Sequence, residues 1–251
     1  ETGMAHLLEH LIFKGSKNFP KPDAEFNKRG FQNNGTTWLD RTNYYSTFQA
    51  SDENLKWAID WSADAMVNSF IAKADLDSEM TVVRNEFEMG ENSPSRQMFE
   101  NSQALLYDWH NYGKSSIGAR SDIENVRIEN LQGFYRTYYQ PDNAVLIVAG
   151  KFDEAKAMRW IGDALGSIPR PARALPVFWT EEPTHSGERQ FTIRRKGEVQ
   201  VVTVAYRLPS ALHPDTMAAD FAVDILGDTP NGRLHKALVQ SGKAAQVFGY
   251  L

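Results

Sequence analysis

Apolar and polar positions along this chain change their period several times, and each change marks an element. Over residues 52–70 the pattern is helical, with Leu55, Ile59, Ala63 and Met66 on one stripe that reads as a core-packing face. A second long helix is predicted to start at Asp75 or Asp77. It carries Met80, Val83 and Phe87 inward and runs through a polar continuation until Asn92-Ser93-Pro94 closes it. Further helices are expected over residues 95–109, over the amphipathic, aromatic-rich stretch 128–139 and over 153–165. Between them lie a loop rich in glycine and serine at 113–118 and a short turn over 121–125. Residues 31–39 read as extended, and residues 42–49, rich in β-formers, are expected to pair with them. Ahead of that pair, Pro20-Lys21-Pro22 reads as a turn, with Asp23 capping a short helix that ends at Gly30. The continuous apolar run 144–150 has the character of a buried strand.

Periodicity then fades over residues 168–187, which hold Pro169, Pro171, Pro176 and Pro183 and read as a linker or long surface crossing. Beyond it, 190–195 and 199–206 look like strands and 213–226 like a helix. The predicted organisation is a first domain over 1–167, a linker over 168–188 and the start of a second domain over 189–251. Strands followed by clusters of helices, without strict alternation, point to an α+β fold, with a mixed or antiparallel sheet carrying its helices on one face.

Bulk composition narrows the function little. Of 251 residues, 41% are hydrophobic and 24% charged, ordinary values for a globular chain. A net charge of −5, with Arg194-Arg195-Lys196 as the densest basic cluster, argues against nucleic acid or a membrane surface as partner. Cysteine is absent, which excludes disulfides and thiolate metal sites and leaves the compartment open. No apolar run approaches the ~20 residues that span a bilayer. The chain starts at Glu1 without a methionine and stops inside an apolar stretch, 247–251, that reads as a strand. Both ends are therefore expected to be cuts, with any signal segment lying before Glu1.

The chemistry concentrates near the start. His6-Leu7-Leu8-Glu9-His10 lies in a short helix that Gly3 opens and Gly15 closes. Residues four apart share a helix face, so both imidazoles point the same way and can grip one tetrahedral Zn²⁺. Glu9 projects from the same side, within reach of a water on that ion, in the H-x-x-E-H order that reverses the commoner zinc-peptidase signature. A third ligand is needed. His110, His185, His213 and His235 lack helical partners and read as surface or satisfied core residues. Glu79 and Glu86 are two helical turns apart on one face, whereas Glu88 points nearly the opposite way. Alone, the run Glu86, Glu88, Glu91 would be a solvated face. Beside the histidine pair, Glu86 becomes the better ligand, with Glu79 placed to hold an imidazole or the reacting water.

Together with Thr81-Val82-Val83-Arg84-Asn85-Glu86 downstream, the histidine motif resembles the pitrilysin/insulin-degrading-enzyme family of inverzincin zinc peptidases, which includes the mitochondrial processing peptidase. The likeness extends to Gly3-Met4-Ala5, Phe13-Lys14-Gly15, Thr42-Asn43-Tyr44, residues 88–94 and Tyr138-Tyr139-Gln140-Pro141-Asp142-Asn143-Ala144. It implies one Zn²⁺ per chain held by His6, His10 and Glu86, with Glu9 as general base and Glu79 assisting. It also implies that Asn34-Gly35-Thr36 forms the edge strand on which a peptide lies, although Gly35 stands where relatives often carry alanine. The implied activity is that of a zinc metalloendopeptidase acting on peptides or unfolded segments. The alternative is a non-catalytic, peptide-binding or scaffold subunit of the same family. Relatives enclose peptides between two halves, each built of two similar α+β domains. This chain would then hold most of one domain, without its first strands, and an incomplete second. A separate or covalently continuous second half is the expected partner, and the bacterial relatives point to the periplasm.

Overall fold

The computed structural model describes residues 1–251. Helix α1 (Met4–Ile12) is the centre of the first compact unit, Glu1–Val202. Its Leu7, Leu8, Leu11 and Ile12 are buried with Phe26, Trp61, Leu76, Val83 and Leu131. Each such side chain is worth about 1.5–3 kcal/mol on burial. Gly3 lets the chain enter α1 at φ 81°, and a Cβ there would lie 2.5 Å from the Ile117 carbonyl oxygen. Thr2 ties the same entry down, its N–H and hydroxyl both donating to Asp122 at 2.7 Å.

Helix α2 (Pro22–Arg29) follows, ending at Gly30 in the left-handed conformation. Its N-cap is Lys21. Asp23, expected to cap it, lies within the first turn, where Pro22 already occupies a position that needs no N–H partner. Strands β1 (Gln32–Thr37) and β2 (Thr42–Thr47) form an antiparallel ribbon with Gly35 opposite Tyr44 and Thr37 opposite Thr42. The ribbon packs on α1. Helix α3 (Asp52–Asn68) starts on a Ser51 cap, and α4 (Lys73–Glu91) and α5 (Pro94–Leu106) follow. Residues 121–125, expected as a turn, close into a short helix, α6 (Arg120–Asn125); α7 (Ile128–Tyr138) packs on α1, and α8 (Glu154–Leu165) packs on α3. The second unit, Thr203–Leu251, holds α9 (Thr216–Gly227) and one π-helical turn, His235–Val239. The architecture is α+β, rich in helix. No helix is long and apolar enough to cross a membrane.

Four expected strands do not form, the terminal stretch 247–251 among them. Residues 144–150, 190–195 and 199–206 run without a ladder, and Val145 and Ile147 are 86% and 80% exposed. Their apolar character is strand-like, but a strand is completed by a neighbour, and no other segment pairs with them. The proline-rich stretch 168–187 carries no helix or strand either. It is pinned by Arg173, which bonds both carboxylate oxygens of Asp142 at 2.7 and 2.8 Å.

A buried carboxylate fixes the loop that leaves α1. Asp64, 6% exposed on α3, accepts from the Ser16 hydroxyl, the Asn18 N–H and side chain, and Asn68 at 2.6–2.8 Å. Burial pushes this carboxyl up, but those donors outweigh it and hold it below its ordinary value. A lowered folded-state value means the stabilisation is full above the unfolded pKa of ~3.9 and is lost as pH falls through the folded one. Asp64→Asn will cost about 3 kcal/mol at pH 7, and the gap to the wild type will narrow in acid below pH ~4. Urea unfolding of both proteins between pH 7 and pH 3 measures this; a gap that stays constant refutes it.

Candidate metal centre

The site is built by two helices whose rotations are set by their buried faces. On α1, burying Leu7, Leu8 and Leu11 leaves His6, Glu9 and His10 on the side facing α4 and the ribbon. On α4, Leu76 and Val83 are buried, and Glu79 and Glu86 follow each of them by three residues, so both carboxylates project along one line toward α1. The result is convergence. Glu86 Oε2 lies 3.4 Å from His6 Nε2 and 3.5 Å from His10 Nε2, and one ligating atom from each residue falls within 4.8 Å of the others.

These residues fit zinc. Bonds of ~2.0–2.1 Å arranged tetrahedrally need donors about 3.3 Å apart, close to the two separations found between Glu86 and the imidazoles, and two imidazoles with a carboxylate form an ordinary donor set for this ion. The His6 and His10 side chains are 15% and 14% exposed and that of Glu86 is 40%, so the cluster is walled on the imidazole side and open on the other. Burial, with the nearby His10 and Arg96 charges, lowers His6 to about 4 and keeps its imidazole neutral. Glu79 Oε2 meets His10 Nδ1 at 3.1 Å, which fixes that ring's tautomer and directs Nε2 at Glu86. Burial pushes the Glu79 carboxyl up, but its ion pair with Lys14 and its contact with His10 bring it below the ordinary value. His6 Nδ1 is buried without a hydrogen-bond partner, so nothing steers that ring from its Nδ1 side as Glu79 steers His10.

Glu9 stands beside the cluster. Its Oε2 accepts from the Thr37 hydroxyl at 2.5 Å, and burial raises its pKa against the pull of Thr37 and His10. It borders a cleft of about 380 Å³ shared with His6, Glu86, Arg96, Trp38 and Phe99. Of the three residues expected on the substrate strand, Gly35 is buried against Glu9, whereas Asn34 and Thr36 are exposed on the other face of β1. The Asn34 side chain accepts from the Gly35 N–H at 2.8 Å. The remaining histidines stay apart: His110 accepts from the Tyr112 N–H, and His185 bonds the Leu106 carbonyl. The residues that sequence reasoning did not single out are Thr37, Thr42 and Lys14. Lys14 and Thr42 were visible only as parts of motifs, and their partners depend on contacts across the fold.

Residues 1–120, which contain the whole cluster, match the family profile described as Insulinase (Peptidase family M16), and residues 125–251 match one described as Peptidase M16 inactive domain. The zinc protease PqqE of Helicobacter pylori (strain ATCC 700392 / 26695) is 28% identical over 258 residues, covering 100% of this chain and 57% of that protein. A crystal structure of a protease from Helicobacter pylori matches with a TM-score of 0.88 at 27% identity, over 99% of this chain and 61% of that one. The periplasmic protease PqqL from Escherichia coli matches with a TM-score of 0.65 at 27% identity, over 72% of this chain and 21% of that one. In each case this chain spans less than two thirds of the other's length.

Proposed function

The chain belongs to peptidase family M16, and from that premise we propose that it is the zinc-bearing part of a metalloendopeptidase that hydrolyses peptides or unfolded segments. The observation that carries this reading is the convergence of His6 Nε2, His10 Nε2 and Glu86 Oε2, with the Glu9 carboxylate alongside. His6, His10 and Glu86 would hold one Zn²⁺. When bound, that ion supplies Lewis-acid polarisation of a carbonyl and of a water molecule. Glu9 takes the proton of the attacking water and later delivers it to the leaving amine, a role that its burial-raised basicity suits. Glu79 keeps His10 in the tautomer that presents Nε2, and Lys14 holds Glu79 ionised. Strand β1, with Asn34, Gly35 and Thr36, offers an edge along which an extended peptide lies, read through its main chain and therefore with loose sequence preference.

The division into a zinc-bearing domain over 1–167, a linker over 168–188 and a second domain from 189 belongs to the same proposal. So does a second half, on this chain or on a separate subunit, that closes over the peptide. The rival reading is a peptide-binding or scaffold subunit without catalysis. The complete protein, assayed on an internally quenched peptide, is expected to cleave it, stop on addition of a zinc chelator and recover with added zinc. Zinc bound at one ion per chain without any cleavage would favour the rival reading instead.

A further inference from the structure

Behind Glu9 the ribbon assembles a row of hydroxyls. Thr37 Oγ1 donates to Glu9 Oε2 at 2.5 Å, and its ladder partner Thr42 places Oγ1 3.4 Å from it, a longer contact. The Tyr139 phenol meets the Tyr44 hydroxyl at 2.7 Å. Tyr44 in turn stands across the ladder from Gly35. Gly35 leaves room for Glu9 itself: a Cβ there would lie 2.8 Å from Glu9 Cγ and 3.1 Å from Oε1.

Each hydroxyl has one proton to give, and an ionised carboxylate can only accept. Thr37 therefore gives its one proton to Glu9. Burial keeps both phenols protonated, pushing Tyr139 up to about 12 and Tyr44 well above its ordinary value.

We propose that Thr37 is a positioning residue for Glu9, with Thr42 beside it on the ladder and the bare backbone of Gly35 making the space. Thr37 occupies Oε2, so Oε1 is the oxygen left for a reacting water. The same bond stops the carboxylate from turning to join His6, His10 and Glu86 as a fourth donor. The inference rests on Glu9 being the general base.

The test compares Thr37→Val, which keeps the shape and loses the donor, with Thr37→Ser, which restores the donor, in the complete zinc-loaded protein. Thr37→Val is expected to bind one zinc per chain, keep KM within about twofold and lose about 10–100-fold in kcat, with Thr37→Ser recovering to within about threefold of wild type. Crystal structures are expected to show the Glu9 carboxylate swung away in the valine variant and in place in the serine variant. A valine variant with wild-type kcat, a serine variant as slow as the valine one, or a Glu9 carboxylate unmoved in the valine variant overturns the proposal. Should the wild type cleave no peptide, the peptidase reading falls, and the position of Glu9 in the two variant structures still decides this one.

Discussion

Exchanging Glu9 for glutamine will leave zinc bound at one ion per chain and slow peptide hydrolysis by about 10²–10⁴-fold, the span that a general base contributes. The substitution is nearly isosteric. Its amide oxygen can still accept the Thr37 hydroxyl that now bonds Oε2 at 2.5 Å, so the side chain has reason to stay where it is. What disappears is the ability to take a proton from water and return it to an amine. The loss should fall on kcat, with KM little changed, because nothing that would grip the peptide along β1 is removed. Metal analysis of the purified variant, alongside cleavage of a quenched peptide, reads both halves of the expectation. Retained cleavage with zinc in place would remove Glu9 from the chemistry.

The second large effect concerns the metal itself. Glu86→Gln removes the carboxylate that meets both Nε2 atoms, whereas Glu79→Gln removes only the group that steers one ring. Loss of a ring-steering partner costs about 10–100-fold in metal affinity, so Glu79→Gln is expected within that range and Glu86→Gln beyond it. Competition against a chromophoric chelator ranks the two. Glu86 is the most exposed of the three converging side chains, which makes its substitution the least disruptive to packing and the cleanest to interpret. If Glu86→Gln binds zinc as tightly as the wild type, the third donor lies elsewhere.

Much of this site was legible because it is local. The spacing of His6 and His10 places them on one face wherever the helix sits, and the seven-residue spacing of Glu79 and Glu86 does the same on α4. The long helices could be read from their apolar stripes. What escaped depends on partners distant in sequence. The bond from Thr37 to Glu9 exists because the register sets Gly35 and Thr37 on the face toward α1, and composition does not fix a register. Lys14 reaches Glu79 across 65 residues of chain, which no periodicity encodes. The run 144–150 shows the same limit in reverse. Its apolar character predicts a buried strand, yet a ladder and a covered face are properties of two segments, and Val145 and Ile147 stand exposed with none paired to them.

That uncovered run also bears on how the 251 residues behave in the test tube. A row of unclaimed main-chain donors and acceptors flanked by Val145 and Ile147 is a template for any passing strand, including the same stretch on another copy. No lysine, proline or bulge blunts it between Ala144 and Ala149. It is thus one site, with the equally unpaired run 199–206, from which self-association in solution can begin, and a capping strand supplied to that edge would act as a solubiliser.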